Sequence, residues 1–329
     1  MVNGKWLMIV VVVLIAMASM RLWWSRSQVI MSPGGQVKKE LPYEKYSFEN
    51  LAKRGGIASQ IEVVGNKFYY YSEGRRISGE VNSVVGEVKG VIIMARGYVD
   101  KEIYKTGVGT HNAAKYYSEH GYVTYAPDFS GYGESDKEDL PAQAGANALG
   151  ARLVKPVEIL DLIASLPAQV GVPQDKPIFL WGHSNGGQIM LSVAEILGRV
   201  EPRGRTPRVL GVTLWAPVSK PFPYNILYYT DEASDSGKWL RGEIAKFEQD
   251  YDVFNYSIDK YLDWIELPVQ LHQGTADEAV PKKWSDELVK NLKEKEKDVK
   301  YYIYFGADHN MRPAWDQVVA RDVEFLNVK

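Results

Sequence analysis

Short apolar runs alternate with helix-period patterns along most of this chain. Runs at residues 90–95, 177–180, 209–215, 268–273 and 301–305 read as strands. Between them lie helical patterns, such as 110–120 and the stripe Ile189, Met190, Val193, Ile196, Leu197. A final helix is predicted to start at Pro313, with Trp315, Val318, Val319, Val323 and Leu326 on one face. Such alternation predicts an α/β domain whose sheet is mostly parallel, with helices on both faces. Two earlier strands, near 61–71 and 76–81, are expected to form an antiparallel edge. Residues 216–266 show no strand pattern and are rich in aromatics: Phe222, Tyr224, Tyr228, Tyr229, Trp239, Phe247, Tyr251 and Phe254. The charge run 290–298 reads as a solvated helix end.

The N-terminus follows a different pattern. Residues 6–20 carry no charge and are nearly all apolar. Fifteen helical residues span about 22 Å, short of a hydrocarbon core about 30 Å thick, but extension through Trp24 reaches about 28 Å. Arg21 can snorkel and Trp23 and Trp24 can sit in the interface. Residues 1–24 are therefore expected to form a membrane anchor, with the remaining chain outside the cytoplasmic membrane. A cleaved signal segment and a secreted product form the alternative, since Lys5 and Ala16-Met17-Ala18 resemble its parts. Residues 25–56, including Ser32-Pro33-Gly34-Gly35, read as a linker and pre-domain stretch, and 57–329 as one large domain.

Composition narrows the function. The 329 residues carry a net charge of −2, with no basic patch in the domain, so nothing points to nucleic acid. Cysteine is absent, which excludes disulfides, zinc–thiolate sites and a cysteine nucleophile. No phosphate loop or metal-ligand spacing is seen, and no cofactor is implied.

The segment Trp181-Gly182-His183-Ser184-Asn185-Gly186-Gly187 lies between a strand and a helix. This is the setting of a nucleophile elbow, where small residues flank a strained, exposed serine at the mouth of a helix. A serine needs a base, and the base needs an orienting group. Of five histidines, two follow Ser184. His272 falls inside a strand, whereas His309 occupies a loop after one, which favours His309 as base. Asp277 follows the preceding strand and is the expected acid, with Glu278 the nearest rival and Asp308 a weaker one. The oxyanion donors are expected at the backbone N–H of Asn185 and, in the loop after 90–95, at Tyr98 or Gly97, with Tyr98 preferred.

With Arg96-Gly97-Tyr98, the run 125–135, Gly182 to Gly187, Gly274-Thr275-Ala276-Asp277 and Asp308-His309-Asn310 in this order, residues 60–327 resemble the α/β-hydrolase superfamily. Within it the chain looks most like the prolyl-oligopeptidase-related and esterase branch, often labelled dipeptidyl-aminopeptidase or acylaminoacyl-peptidase-like. The resemblance implies an α/β-hydrolase fold with Ser184, Asp277 and His309 as triad. It also implies a small cap, about 217–266, inserted after the sixth strand. Two positions depart from it: Arg96 and Gln273 stand where histidine is frequent in relatives. Asp128 is expected to be structural, accepting backbone N–H groups, and His183 to be a packed neighbour. His111 and His120 read as surface or helix-end residues.

The expected activity is hydrolysis of a carboxylic ester through an acyl-enzyme. A peptidase acting on short peptides is the first alternative, although some 55 residues before the domain are too few for a β-propeller. An inactive hydrolase fold used for binding at the membrane is the other, to which Arg96 lends support.

Overall fold

A computed structural model describes residues 41–137, 146–169, 175–200, 209–230 and 234–327. The expected anchor or signal segment, residues 1–24, and the linker through 40 lie outside the described residues. Among the described residues no helix is long and apolar enough to cross a membrane. Tyr43–Lys329 form one compact unit. It therefore includes the later part of the stretch read as pre-domain, where Tyr43, Tyr46, Phe48 and Leu51 are buried around helix α1 (Phe48–Arg54).

Nine strands form one sheet: β1 (Glu62–Val64), β2 (Lys67–Ser72), β3 (Arg75–Asn82), β4 (Gly90–Ala95), β5 (Tyr122–Pro127), β6 (Ile178–His183), β7 (Val209–Trp215), β8 (Val269–Gly274) and β9 (Val299–Tyr304). Their order is β1-β2-β3-β5-β4-β6-β7-β8-β9. The first three strands are antiparallel, β3 also runs antiparallel to β5, and the pairs from β5 to β9 are parallel. The segment 61–71, expected as one strand, is a hairpin. Gly65, at φ 63°, turns the chain before Asn66 and pairs Val64 with Lys67. The insertion after Trp215 therefore follows the seventh strand, not the sixth.

Helices α2 (His111–Glu119), α3 (Ala146–Ser165), α4 (Asn185–Leu197), α5 (Lys238–Glu248), α6 (Lys282–Glu294) and α7 (Trp315–Asn327) complete the unit. On one sheet face Ile92, Met94, Phe179, Trp181 and Trp215 pack against Ala113, Ala114 and Tyr117 of α2 and Val318, Val319, Phe325 and Leu326 of α7. On the other, α4 lies over β6, β7 and β4, with α3 and α1 against it. Strands β4, β5 and β6 are buried throughout, the mark of parallel strands covered on both sides. Helix α7 starts at Trp315, two residues later than expected, with Trp315 and Val323 half-buried beside the fully packed positions of its stripe.

The segment between β7 and β8 contains α5, short helical turns and, among its described residues, no strand. Several of its aromatics pack on one another. Phe247 lies 5.8 Å from Phe222, 4.6 Å from Tyr251 and 5.2 Å from Tyr256, measured between ring centres. Tyr224, Tyr228, Trp239 and Phe254 stay exposed.

Candidate active site

Strand β6 ends at His183 and α4 begins at Asn185, so Ser184 alone makes the turn. Its φ of 57° and ψ of −120° lie outside the ordinary regions for a side-chain-bearing residue. Four backbone bonds hold it there: Ser184 N–H donates to Trp215 O, and Ser184 O accepts from Gly187 N, Gln188 N and Val218 N. The flanking glycines are required by contact. A Cβ on Gly182 would sit 2.5 Å from Gly186 O, and one on Gly186 would sit 1.9 Å from Ala95 O. The first N–H groups of α4 lack intrahelical acceptors, so Asn185 presents its N–H and the positive end of the helix at the turn.

The loop after β4 reaches the same turn. A Cβ on Gly97 would lie 3.1 Å from Ser184 Cβ and 3.5 Å from its Oγ. Tyr98 follows it with an exposed side chain whose hydroxyl donates to Asp100 Oδ1 at 2.6 Å. Arg96 is buried beneath: its guanidinium donates to Gly97 O and Asp128 O and stacks 4.2 Å from the ring centres of both Tyr104 and Tyr132. The residue that departs from the expected histidine thus anchors the backbone of this loop.

Asp277 and His309 come together from the loops after β8 and β9, with His309 Nδ1 2.9 Å from Asp277 Oδ2. Gln273 Nε2 donates to the same oxygen at 2.9 Å, while Ala279 N and Val280 N donate to Oδ1. Burial alone pushes Asp277 toward its neutral form. The hydrogen bond and charge of His309, the Val280 N–H and Gln273 outweigh that and hold its pKa below the ordinary value. A carboxylate acceptor fixes the proton of His309 on Nδ1 and leaves Nε2 free to accept one.

His183 couples the elbow to this pair. Its Nε2 donates to His309 O at 2.9 Å, and the two rings lie 4.6 Å apart. Burial, then the neighbouring His309, lowers the His183 pKa to about 4, so it packs as a neutral ring, as expected. Among the described residues no hydrogen bond joins Ser184 Oγ to His309, a link that often tightens only when substrate binds.

The rival residues have other partners. His272 is fully buried, with Nδ1 2.7 Å from Tyr304 OH and Nε2 3.0 Å from Asp322 Oδ1. Glu278 is exposed, and Asp308 caps its own loop by accepting from Asn310 N and Arg312 N. His111 contacts Glu80 and His120 contacts Tyr116 O, both on helix α2's ends. Asp128 is structural, but its acceptors meet the hydroxyls of Ser78, Tyr104 and Thr106 in place of the expected backbone N–H groups. That fits an aromatic, hydroxyl-rich loop folded over a carboxylate. Gln273, the second departure from the resemblance, supports Asp277 directly, and Ser285 Oγ donates to its Oε1 at 2.6 Å. Its position four residues before the acid, at a strand end, was the available signal.

A family model for the alpha/beta hydrolase family matches residues 107–326. No curated protein sequence matches the chain. Among solved structures, Est1E from Butyrivibrio proteoclasticus is 17% identical with a TM-score of 0.55, covering 80% of this chain and 100% of its own. Acetyl xylan esterase 1 from a Thermoanaerobacterium species is 15% identical with a TM-score of 0.57, covering 86% and 93%. A puromycin-hydrolyzing peptidase of Mycobacterium tuberculosis is 19% identical with a TM-score of 0.55, covering 89% of this chain and 41% of its own. At these identities the likeness is one of fold. With the matched region spanning most of the compact unit, the chain belongs to the alpha/beta hydrolase family.

Proposed function

We propose that this protein is a serine hydrolase that cleaves carboxylic esters through an acyl-enzyme. The observation that carries the reading is Ser184 strained at the head of α4, with the Asp277–His309 pair fixed beside it through His183. Ser184 attacks the ester carbonyl while His309 Nε2 takes its proton, and Asp277 stabilises the imidazolium that forms. The backbone N–H groups of Asn185 and Tyr98 receive the developing oxyanion. The imidazolium then protonates the leaving alcohol, and the same base activates water to release the acid. No cofactor enters this scheme. The apolar N-terminal segment supports a place at the membrane with the hydrolase outside the cytoplasm, testable by alkaline extraction and protease accessibility on intact cells.

The test is direct. Ser184→Ala is expected to lose nearly all turnover of a short-chain 4-nitrophenyl ester, and a fluorophosphonate probe is expected to label Ser184 in the parent protein. Retained activity would place the nucleophile elsewhere, and absence of labelling would favour an inactive fold used for binding. Faster cleavage of aminoacyl amides than of simple esters would favour a peptidase.

A further inference from the structure

Arg152, on α3, faces the nucleophile elbow, and among the described residues no carboxylate pairs with it. Its Nη1 donates to Asn185 Oδ1 at 3.4 Å, at the long limit for such a bond. The hydroxyls of Tyr229, Tyr98 and Tyr132 lie near enough to favour its charged form, and Lys155 lines a cavity with it. Asn185 follows Ser184, Tyr98 belongs to the loop against Ser184, and Tyr229 belongs to the segment after β7. The guanidinium therefore sits among groups that border the reacting carbonyl. Elsewhere in the molecule Arg54, half-buried, binds Asp161 through two bonds of 2.7 and 2.9 Å, whereas the buried Arg96 is held by two carbonyl oxygens and two tyrosine rings.

A second polar group nearby also lacks a partner. Asn225 is 1% exposed, and neither its Nδ2 nor its Oδ1 has a hydrogen bond among the described residues. Arg152, Asn185 and Asn225 line one cavity of about 40 Å³, closed by Phe48, Phe222 and Tyr256. That volume admits a few water molecules or a carboxylate. Water can bond Asn225 but does not neutralise Arg152, whereas an anion does both.

We propose that Arg152 and Asn225 form a subsite for a carboxylate carried on the acyl part of the ester substrate, a reading that rests on the ester-hydrolase function above. A planar guanidinium matches a carboxylate through two parallel N–H donors. The Asn225 amide, buried in the cavity lining, adds a donor. The acyl part is the one that remains bound after the alcohol leaves, and a cavity closed by α1 and the segment after β7 suits the retained group. Phe48, Leu51, Ile189 and Phe222 give the cavity an apolar lining that suits a short methylene chain.

The experiment compares mono-4-nitrophenyl glutarate with 4-nitrophenyl pentanoate, which share acyl length and differ in a terminal carboxylate or methyl. The parent protein is expected to favour the glutarate ester at least tenfold in kcat/KM. Arg152→Gln is expected to lower that ratio ten- to hundredfold, the range of a charge-assisted hydrogen bond. Arg152→Lys should restore part of it, and Asn225→Leu should lower it by a smaller factor. Equal ratios in the parent and Arg152→Gln would overturn the proposal, because Arg152 would then only support Asn185. Should the variants not fold, glutarate must inhibit pentanoate-ester cleavage by the parent protein while neutral glutaramide does not; equal inhibition overturns the subsite. Failure of the hydrolase reading shows separately as absence of fluorophosphonate labelling at Ser184. In that case glutarate must still raise the melting temperature of the parent protein more than glutaramide does, and an equal shift overturns the subsite.

Discussion

At the scale of single residues, Asp277, the proposed acid, is the most heavily specified position in the site. Asp277 accepts from four donors, two side chains on Oδ2 and two backbone N–H groups on Oδ1. Asn at 277 keeps one acceptor for the backbone but turns an NH₂ toward His309 Nδ1 and Gln273 Nε2. His309 would then carry its proton on Nε2, the wrong nitrogen for a base. Asp277→Asn is expected to cut kcat for an aryl ester by about a thousandfold or more, while circular dichroism shows an intact fold. A loss below tenfold would remove Asp277 from the mechanism. Ser184, Asp277 and His309 were legible in the sequence because each follows an apolar run, and strand ends in a parallel sheet converge on one edge. Arg152 was not legible. Its partners at residues 98, 185 and 229 lie far along the chain, and nothing in the local pattern around 152 points to them.

At the scale of elements, the elbow depends on how closely α4 approaches the sheet. A methyl on Gly186 would have to occupy space 1.9 Å from Ala95 O and 2.5 Å from Arg96 O, both backbone atoms that cannot swing away. Gly186→Ala must therefore shift α4 or the loop after β4, and either movement displaces one of the proposed oxyanion donors. The expected result is a loss of 1–3 kcal/mol of stability, about the cost of overpacking, with ester turnover near background. Thermal melts and initial rates check both, and full activity at unchanged melting temperature would contradict the contact. The sequence showed this elbow because glycine spacing leaves a direct record of close approach. It did not show α3, where Pro156 interrupts the apolar pattern inside a helix. It also hid the β1–β2 hairpin, since Gly65 and Asn66 sit within what reads as one strand. The aromatic segment after β7 was ambiguous for a different reason: burial and pocket lining demand the same residue types, and only packing separates Phe247 from Trp239.

At the scale of the whole molecule, buried titratable groups set how stability varies with pH. Glu158 accepts from Ser130 N and Oγ, yet burial raises its pKa from 4.5 to about 7. Glu195 is fully buried with neither oxygen bonded among the described residues, and burial raises it well above 4.5. Both hold a proton in the folded chain that the unfolded chain has released. Their contribution is therefore full below about pH 4.5 and is lost as pH rises through the folded pKa values. His183 runs the other way: from about 6.5 down to about 4 the unfolded chain takes up a proton that the folded chain refuses, so stability falls as pH falls. Between these limits the two glutamates outweigh the histidine, and the parent protein should lose stability from pH 4.5 to 6.5. Replacing both, as Glu158→Gln with Glu195→Met, removes two protons from the balance and leaves His183 to set the sign. Unfolding free energies from urea titration at pH 5, 6, 7 and 8 should rise with pH up to about 6.5 in the double variant, then level off. Relative to the parent, the contribution of Glu158 alone is at most about 3.5 kcal/mol, from its pKa difference at about 1.4 kcal/mol per unit. Parallel curves for parent and double variant would mean that neither carboxyl is protonated in the folded core, and that each has found a partner on folding.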